Sequence, residues 1–183
     1  MKPILPLLLI ALMLNACNHS EPNSMQDYLA LAPADPAVNQ NLRLQPSIKL
    51  FNHVKDASLP DQIAKTYAEK LYYNDSIVTL HNRMDLLKYL QHSQEKIDSV
   101  SFEVLSAQEN GDDVFIRWIM RTRFSVMGQS RNLESIGVSH LRFNSEGKII
   151  LHQDFWDSMQ LYQNLPIIGG VLQWIKSGLQ DYK

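Results

Sequence analysis

Asp154 is the residue in this chain best placed to move a proton. It lies in His152-Gln153-Asp154-Phe155-Trp156, where alternate side chains of an extended segment put His152, Asp154 and Trp156 on one side. A carboxyl group walled in by apolar side chains can serve as a general acid or base, because burial disfavours its charged form. His152 could relay that proton. The plainer alternatives are a buried carboxylate satisfied by a backbone N–H or helix terminus, and a histidine held in the core. Asp75, in Tyr73-Asn74-Asp75 after a short strand, is a second carboxylate, and an Asn-Asp pair there also suits a turn. His152 and Asp154 supply two metal ligands with no third in reach, so neither a metal nor another cofactor is expected. The chain shows no nucleophile with an evident base, no glycine-rich phosphate loop and no redox motif.

The elements that must carry these residues read as α+β. Ile48, Phe51 and Val54 fall at helical spacing, and Pro60 closes that segment. Residues 61–74 read as helix or turn in front and strand from Leu71. Arg83 to His92 is a helix with Met84, Leu87 and Leu90 along one side. From Val100 the period becomes two, through Val100–Ala107, Val114–Val126, Leu133–Phe143 and Lys148–Ser158, with turns between, which predicts an antiparallel sheet. If 127–130 and 144–147 are four-residue turns, Ser139 faces both Trp118 and His152, while Gly137 faces Met120 and Asp154. Trp118, Met120, Ser135, Gly137, Ser139 and Trp156 then line one face, and the three small residues of the middle strand leave a hollow for a small molecule. The opposite face carries Arg117, Arg121, Arg123, Glu134 and Arg142, with Arg123 facing Glu134. Leu161 to Leu179 predicts an extra C-terminal helix, interrupted by Pro166 and Gly169-Gly170 and packed across the mouth of the hollow.

The amino terminus has its own chemistry. Lys2, an apolar run from Ile4 to Leu14 and then Asn15-Ala16-Cys17 have the parts of a secretory signal, and the run is too short to span a bilayer. Cys17 is the only cysteine, so no disulfide is available to it within the chain. Residues 18–45 are polar and contain Pro22, Pro33 and Pro36, which reads as a flexible tether. The expected division is thus a signal peptide over 1–16, an anchor and tether over 17–45, and one domain over 46–183. The net charge of −2, with signs interspersed, leaves no footprint for nucleic acid.

Two resemblances sharpen this reading. Leu14-Asn15-Ala16-Cys17 resembles the lipobox of bacterial lipoproteins, which implies a diacylglycerol on the Cys17 thiol, an acylated amino terminus and cleavage before Cys17. With Asn18 next, sorting to the outer membrane, facing the periplasm, is expected. The segment from Ser47 to Leu161 resembles the nuclear-transport-factor-2-like superfamily, including its SnoaL-like cyclases, ketosteroid isomerases and limonene-epoxide hydrolases. The resemblance is carried by Leu141-Arg142-Phe143, Gly147-Lys148-Ile149 and His152 to Asp157, and by Tyr67-Ala68-Glu69 with Tyr73-Asn74-Asp75. It implies a cone-shaped fold in which a curved sheet wraps the N-terminal helices. It also puts Asp75 at the isomerases' general base, Ser139 at their oxyanion-donating acid, and Asp154 at an acidic proton-transfer residue of the hydrolases and cyclases. Where the hydrolases carry an arginine and an aspartate two residues apart, this chain has Arg121 and Arg123.

Three functions remain open on these grounds. The first is a membrane-anchored lipoprotein binding a small apolar, lipid-derived molecule. The second is an isomerase, cyclase or hydrolase using Asp154, His152 or Asp75. The third is an envelope interaction module that docks another protein or forms a homodimer.

Overall fold

The computed structural model describes residues 24–165 and 168–180, so Cys17 and the signal peptide lie outside the described residues. The chain divides into two units after Pro33. The first contains α1 (Ser24–Leu31), a short helix. The second begins with a 3₁₀ turn over Pro36–Gln40, which Asp35 caps by accepting from the Ala37 N–H at 2.9 Å. Then come α2 (Gln45–Asn52), α3 (Leu59–Thr66), β1 (Tyr67–Asn74), β2 (Thr79–Asn82) and α4 (Arg83–Gln94). The long hairpin strands follow: β3 (Ile97–Asn110), β4 (Asp113–Val126), β5 (Gln129–Phe143) and β6 (Ile149–Trp156). Two helices end the chain, α5 (Met159–Gln163) and α6 (Ile168–Gln180). Among the described residues no helix is long and apolar enough to cross a membrane.

The six strands form one sheet in the order β2-β1-β6-β5-β4-β3, and this is the expected α+β cone. Every neighbouring pair is antiparallel except β1 beside β6, which run parallel. Alternation builds the two faces. Along β5, Leu133, Ser135, Gly137, Ser139, Leu141 and Phe143 are buried and the residues between them are more open. Arg121 and Arg142 stand on the outer face, bonded to Glu103, Glu134 and Asp113. The inner face meets α2, α3 and α4 through Leu50, Leu59, Ile63, Leu86 and Leu90.

Several expectations need correction. The tether reading fails from Asp35 onward. Val38 and Leu44 are buried, the Asp35 N–H donates to the Leu105 carbonyl, and Arg43 packs 4.4 Å above the Phe143 ring while bonding Glu109 and the Gly111 carbonyl. A polar, proline-bearing segment is ordered here because two apolar side chains reach the core. Pro60 opens α3 rather than closing α2, where its missing N–H costs nothing. On α4 the buried side is Leu86 and Leu90, and Met84 is exposed. Finally, α6 does not cover the cone mouth as an apolar plug: Ile168, Val171, Trp174 and Ile175 are exposed on it.

The register also moves. Met127 and Gly128, both at positive φ (50° and 77°), make a two-residue turn of the kind that suits hairpin twist. Gln129 and Ser130 therefore join the ladder, and Trp118 faces Gly137 while Met120 faces Ser135 and Arg121 faces Glu134. Between β5 and β6 the loop spans 144–148 and a bulge at Ile150 lies between the Phe143–Ile149 and Arg142–Leu151 pairs, so Ser139 faces Asp154 and Leu141 faces His152. Both slips are by two residues, so the side chains of β4, β5 and Leu151–Trp156 keep their expected faces, while the bulge at Ile150 turns Ile149 inward, where it is buried opposite Phe143.

Candidate functional site

A cavity of about 350 Å³ lies between the inner face and the helices. Its wall is almost wholly apolar, with Phe51, Val100, Phe102, Ile116, Met120 and Phe124 among the contributors. The polar groups of its sheet side come from four strands and one turn, and Ser47, Tyr89, His92, Ser93 and Lys96 add others from α2, α4 and the residues after α4. β6 supplies His152 and Asp154, β5 supplies Ser139, β4 supplies Trp118, β1 supplies Tyr73, and Asp75 stands on the turn after β1.

Four of these groups, His152, Asp154, Ser139 and Trp118, form one chain of hydrogen bonds with Tyr67 behind them. The Tyr67 hydroxyl is 2.6 Å from His152 Nδ1, and His152 Nε2 is 2.8 Å from Asp154 Oδ1. Ser139 Oγ donates to the same Oδ1 at 2.5 Å and accepts from Trp118 Nε1 at 2.8 Å. Tyr67 is fully buried, and burial first and the Asp154 charge second push its phenol well above the ordinary tyrosine range. It therefore keeps its proton and serves as a donor. Were both imidazole nitrogens protonated, the Tyr67 O–H would have no acceptor among the described residues, a costly state for a buried donor. The hydrogen-bond count accordingly assigns His152 as the neutral Nε2–H tautomer. Every proton in the chain then points toward Asp154 Oδ1. Nothing among the described residues donates to Oδ2, and the Asp154 side chain keeps 14% of its surface open.

Asp75 lines the same cavity but is otherwise engaged. Its Oδ1 accepts from the Ile77 and Val78 N–H groups at 3.0 and 2.9 Å, which shapes a turn holding Ser76 at a φ of 70°. Its Oδ2 accepts from the Tyr89 hydroxyl at 2.5 Å, and the Trp156 N–H donates to its carbonyl at 2.7 Å. Burial, and then the charge of Asp75, raise the Tyr89 and Tyr73 phenols above the ordinary range as well. This carboxylate fixes the corner from which Trp156 and Tyr89 face the cavity.

Of the expected lining residues, Trp118, Met120, Ser139 and Trp156 do face the cavity. Gly137 and Ser135 do not. A Cβ at Gly137 would lie 2.2 Å from Trp118 Cζ2, because the indole lies across the glycine and fills the expected hollow. Ser135 is buried beside Leu133 with an Oγ that has no hydrogen-bond partner. Sequence reasoning missed Tyr67, Tyr73 and Tyr89. Tyr67 and Tyr73 are an even number of residues apart and share the inner face of β1, a signal hidden by reading the start of that strand as helix. Among the described residues no three His, Cys, Asp or Glu side chains are grouped to hold a metal ion.

A family model for SnoaL-like domains matches residues 49–152, more than half of the chain. No curated protein matches it. Among solved structures, a candidate SnoaL-like polyketide cyclase from Shewanella denitrificans OS-217 superposes with a TM-score of 0.57 at 15% identity, over 66% of this chain and 94% of its own. A hypothetical protein of ketosteroid isomerase-like fold from Catenulispora acidiphila DSM 44928, in complex with trimethylamine, does so at 0.57 and 16%, over 67% and 90%. An LEH-like epoxide hydrolase of M. tuberculosis follows at 0.54 and 10%, over 66% and 80%. At such identities the likeness establishes the cone fold and leaves the chemistry to the site.

Proposed function

The chain belongs to the SnoaL-like domain family, and we propose that it is a lipid-anchored envelope protein whose cone binds a small, mainly apolar molecule. The observation that carries the binding reading is an apolar cavity of about 350 Å³ lined by Asp154, whose Oδ2 has no donor among the described residues. That volume lies in the range of small-molecule sites, and a few convergent polar groups in an apolar wall are what orient a ligand. The anchor rests on Leu14-Asn15-Ala16-Cys17. Two or more acyl chains there would hold the protein stably on a bilayer, close to lipid-derived molecules. Native mass spectrometry with organic extraction, on the full chain purified from its host, tests the binding. A retained small apolar molecule supports it. A chain that comes out empty, with Trp118 and Trp156 emission insensitive to any apolar additive, removes it. Loss of acyl labelling and of membrane association in Cys17→Ser tests the anchor.

A second reading, proton-transfer catalysis, is favoured by the Tyr67–His152–Asp154 chain. A neutral imidazole set between a phenol and a carboxylate can reload Asp154 after each transfer. Turnover of the extracted molecule that persists unchanged in Asp154→Asn would eliminate it.

A further inference from the structure

The charge balance of the cavity narrows what the ligand can be. Two carboxylates, Asp75 and Asp154, belong to its wall, and no arginine does. The basic groups there are His152, assigned as neutral above, and His92 and Lys96 at the exposed end of α4, where His92 pairs with Glu95 at 3.6 Å. Hydrogen bonds from Ser139 and His152 stabilise the Asp154 carboxylate but bring no countercharge. The interior is thus an apolar space carrying unbalanced negative charge.

Each ligand class meets this interior differently. A purely apolar molecule would seal Asp154 Oδ2 from water and give it no donor, which is costly for a charged acceptor. A carboxylate reaching the deep end would meet two like charges. An alcohol supplies a donor and leaves the charge uncompensated. An ammonium supplies both, and a charge-assisted hydrogen bond is stronger than a neutral one. The aromatic rings of Tyr73, Tyr89, Trp118 and Trp156 in the wall are also surroundings in which a cation can be favoured over an anion.

Resting on the binding function proposed above, we propose that the cavity takes an amphiphilic organic amine. Its ammonium donates to Asp154 Oδ2, and its apolar body lies against Val100, Phe102, Met120 and Phe124.

The test is a titration of the full chain, freed of endogenous ligand, with n-octylamine, 1-octanol and octanoate at pH 7 below their aggregation thresholds. Binding is read by indole emission and calorimetry. The amine should bind at least tenfold more tightly than either of the others. Asp154→Asn should reduce that preference to within threefold. The wild-type comparison stands by itself if the variant does not fold. An alcohol that binds as well as the amine, or octanoate binding most tightly, overturns the amine assignment and leaves the cavity as a binding site. Failure of all three ligands to bind overturns both.

Discussion

Replacing Gly137 by alanine should drive Trp118 into the cavity. The added Cβ would lie 2.2 Å from Cζ2 and 2.4 Å from Cη2 of the indole, more than an ångström inside the ~3.5 Å of ordinary carbon contact. The ring has little freedom to yield. It is buried, it donates to Ser139 Oγ at 2.8 Å, and its centroid is 5.8 Å from that of Phe102. Overpacking of this kind costs about 1–3 kcal/mol, and loss of the indole hydrogen bond about 0.5–1.5 kcal/mol more. A destabilisation of roughly 2–4 kcal/mol is therefore expected, read as a shift in the urea midpoint at constant slope. Near-UV circular dichroism should change with it, and affinity for the extracted ligand should fall at least tenfold as the ring takes up ligand space. Gly170→Ala is the control. It lies in α6 with nothing within 4 Å of its Cβ position, and it should be neutral or stabilising by up to ~1 kcal/mol. A Gly137→Ala protein within ~0.5 kcal/mol of wild type, the range of inert surface changes, with an unaltered near-UV spectrum would refute the packing of Trp118 over Gly137.

Leu44→Ala should cost about 2–5 kcal/mol, because Leu44 is fully buried. A loss below ~0.5 kcal/mol would return residues 35–44 to the tether. Alkaline titration at 295 nm should show Tyr67, Tyr73 and Tyr89 ionising only as the fold is lost. Their folded values lie above the unfolded value of ~10, so their stabilisation is complete below that pH and disappears as pH rises through the folded values. Ionisation of all seven tyrosines near pH 10 in the folded protein would contradict this. Asp113 behaves oppositely. Its hydrogen bonds from Arg142 first and His140 second hold its carboxyl well below the usual range. Its stabilisation is present above pH ~4 and lost as pH falls, so Asp113→Asn should make acid unfolding less steep. An identical acid transition would deny the pair any role.

Along β4, β5 and β6 beyond its bulge, which face a residue occupies was legible, and which partner it meets was not, for one physical reason. Face depends only on parity, whereas partner depends on the length of the turn. Met127-Gly128-Gln129-Ser130 has the composition of a four-residue turn, yet positive φ at Met127 and Gly128 closes the hairpin in two. At the next hairpin, Asn144 Oδ1 accepts from the Glu146 and Lys148 N–H groups and widens the loop, and the bulge beyond it absorbs Ile150. Hydrophobic alternation is blind to a slip of two. The slip still matters chemically, since it sets Ser139 opposite Asp154 and so allows the bond between them.

The polar network was illegible for a different reason. Tyr67 and His152 are separated by 85 residues, and they meet only because β1 runs parallel to β6. Hairpin signals identify antiparallel neighbours, because a short turn leaves its mark in the sequence. A parallel pair closes through everything in between, here β2, α4 and the three strands after it, and leaves no local mark. Local pattern could show that Asp154 and His152 share a face. It could not show that a buried phenol fixes the histidine tautomer and so directs every donor at one carboxylate oxygen. The free oxygen beside it follows from that crowding, since Ser139 and His152 both donate to Oδ1 and leave Oδ2 to whatever enters the cavity.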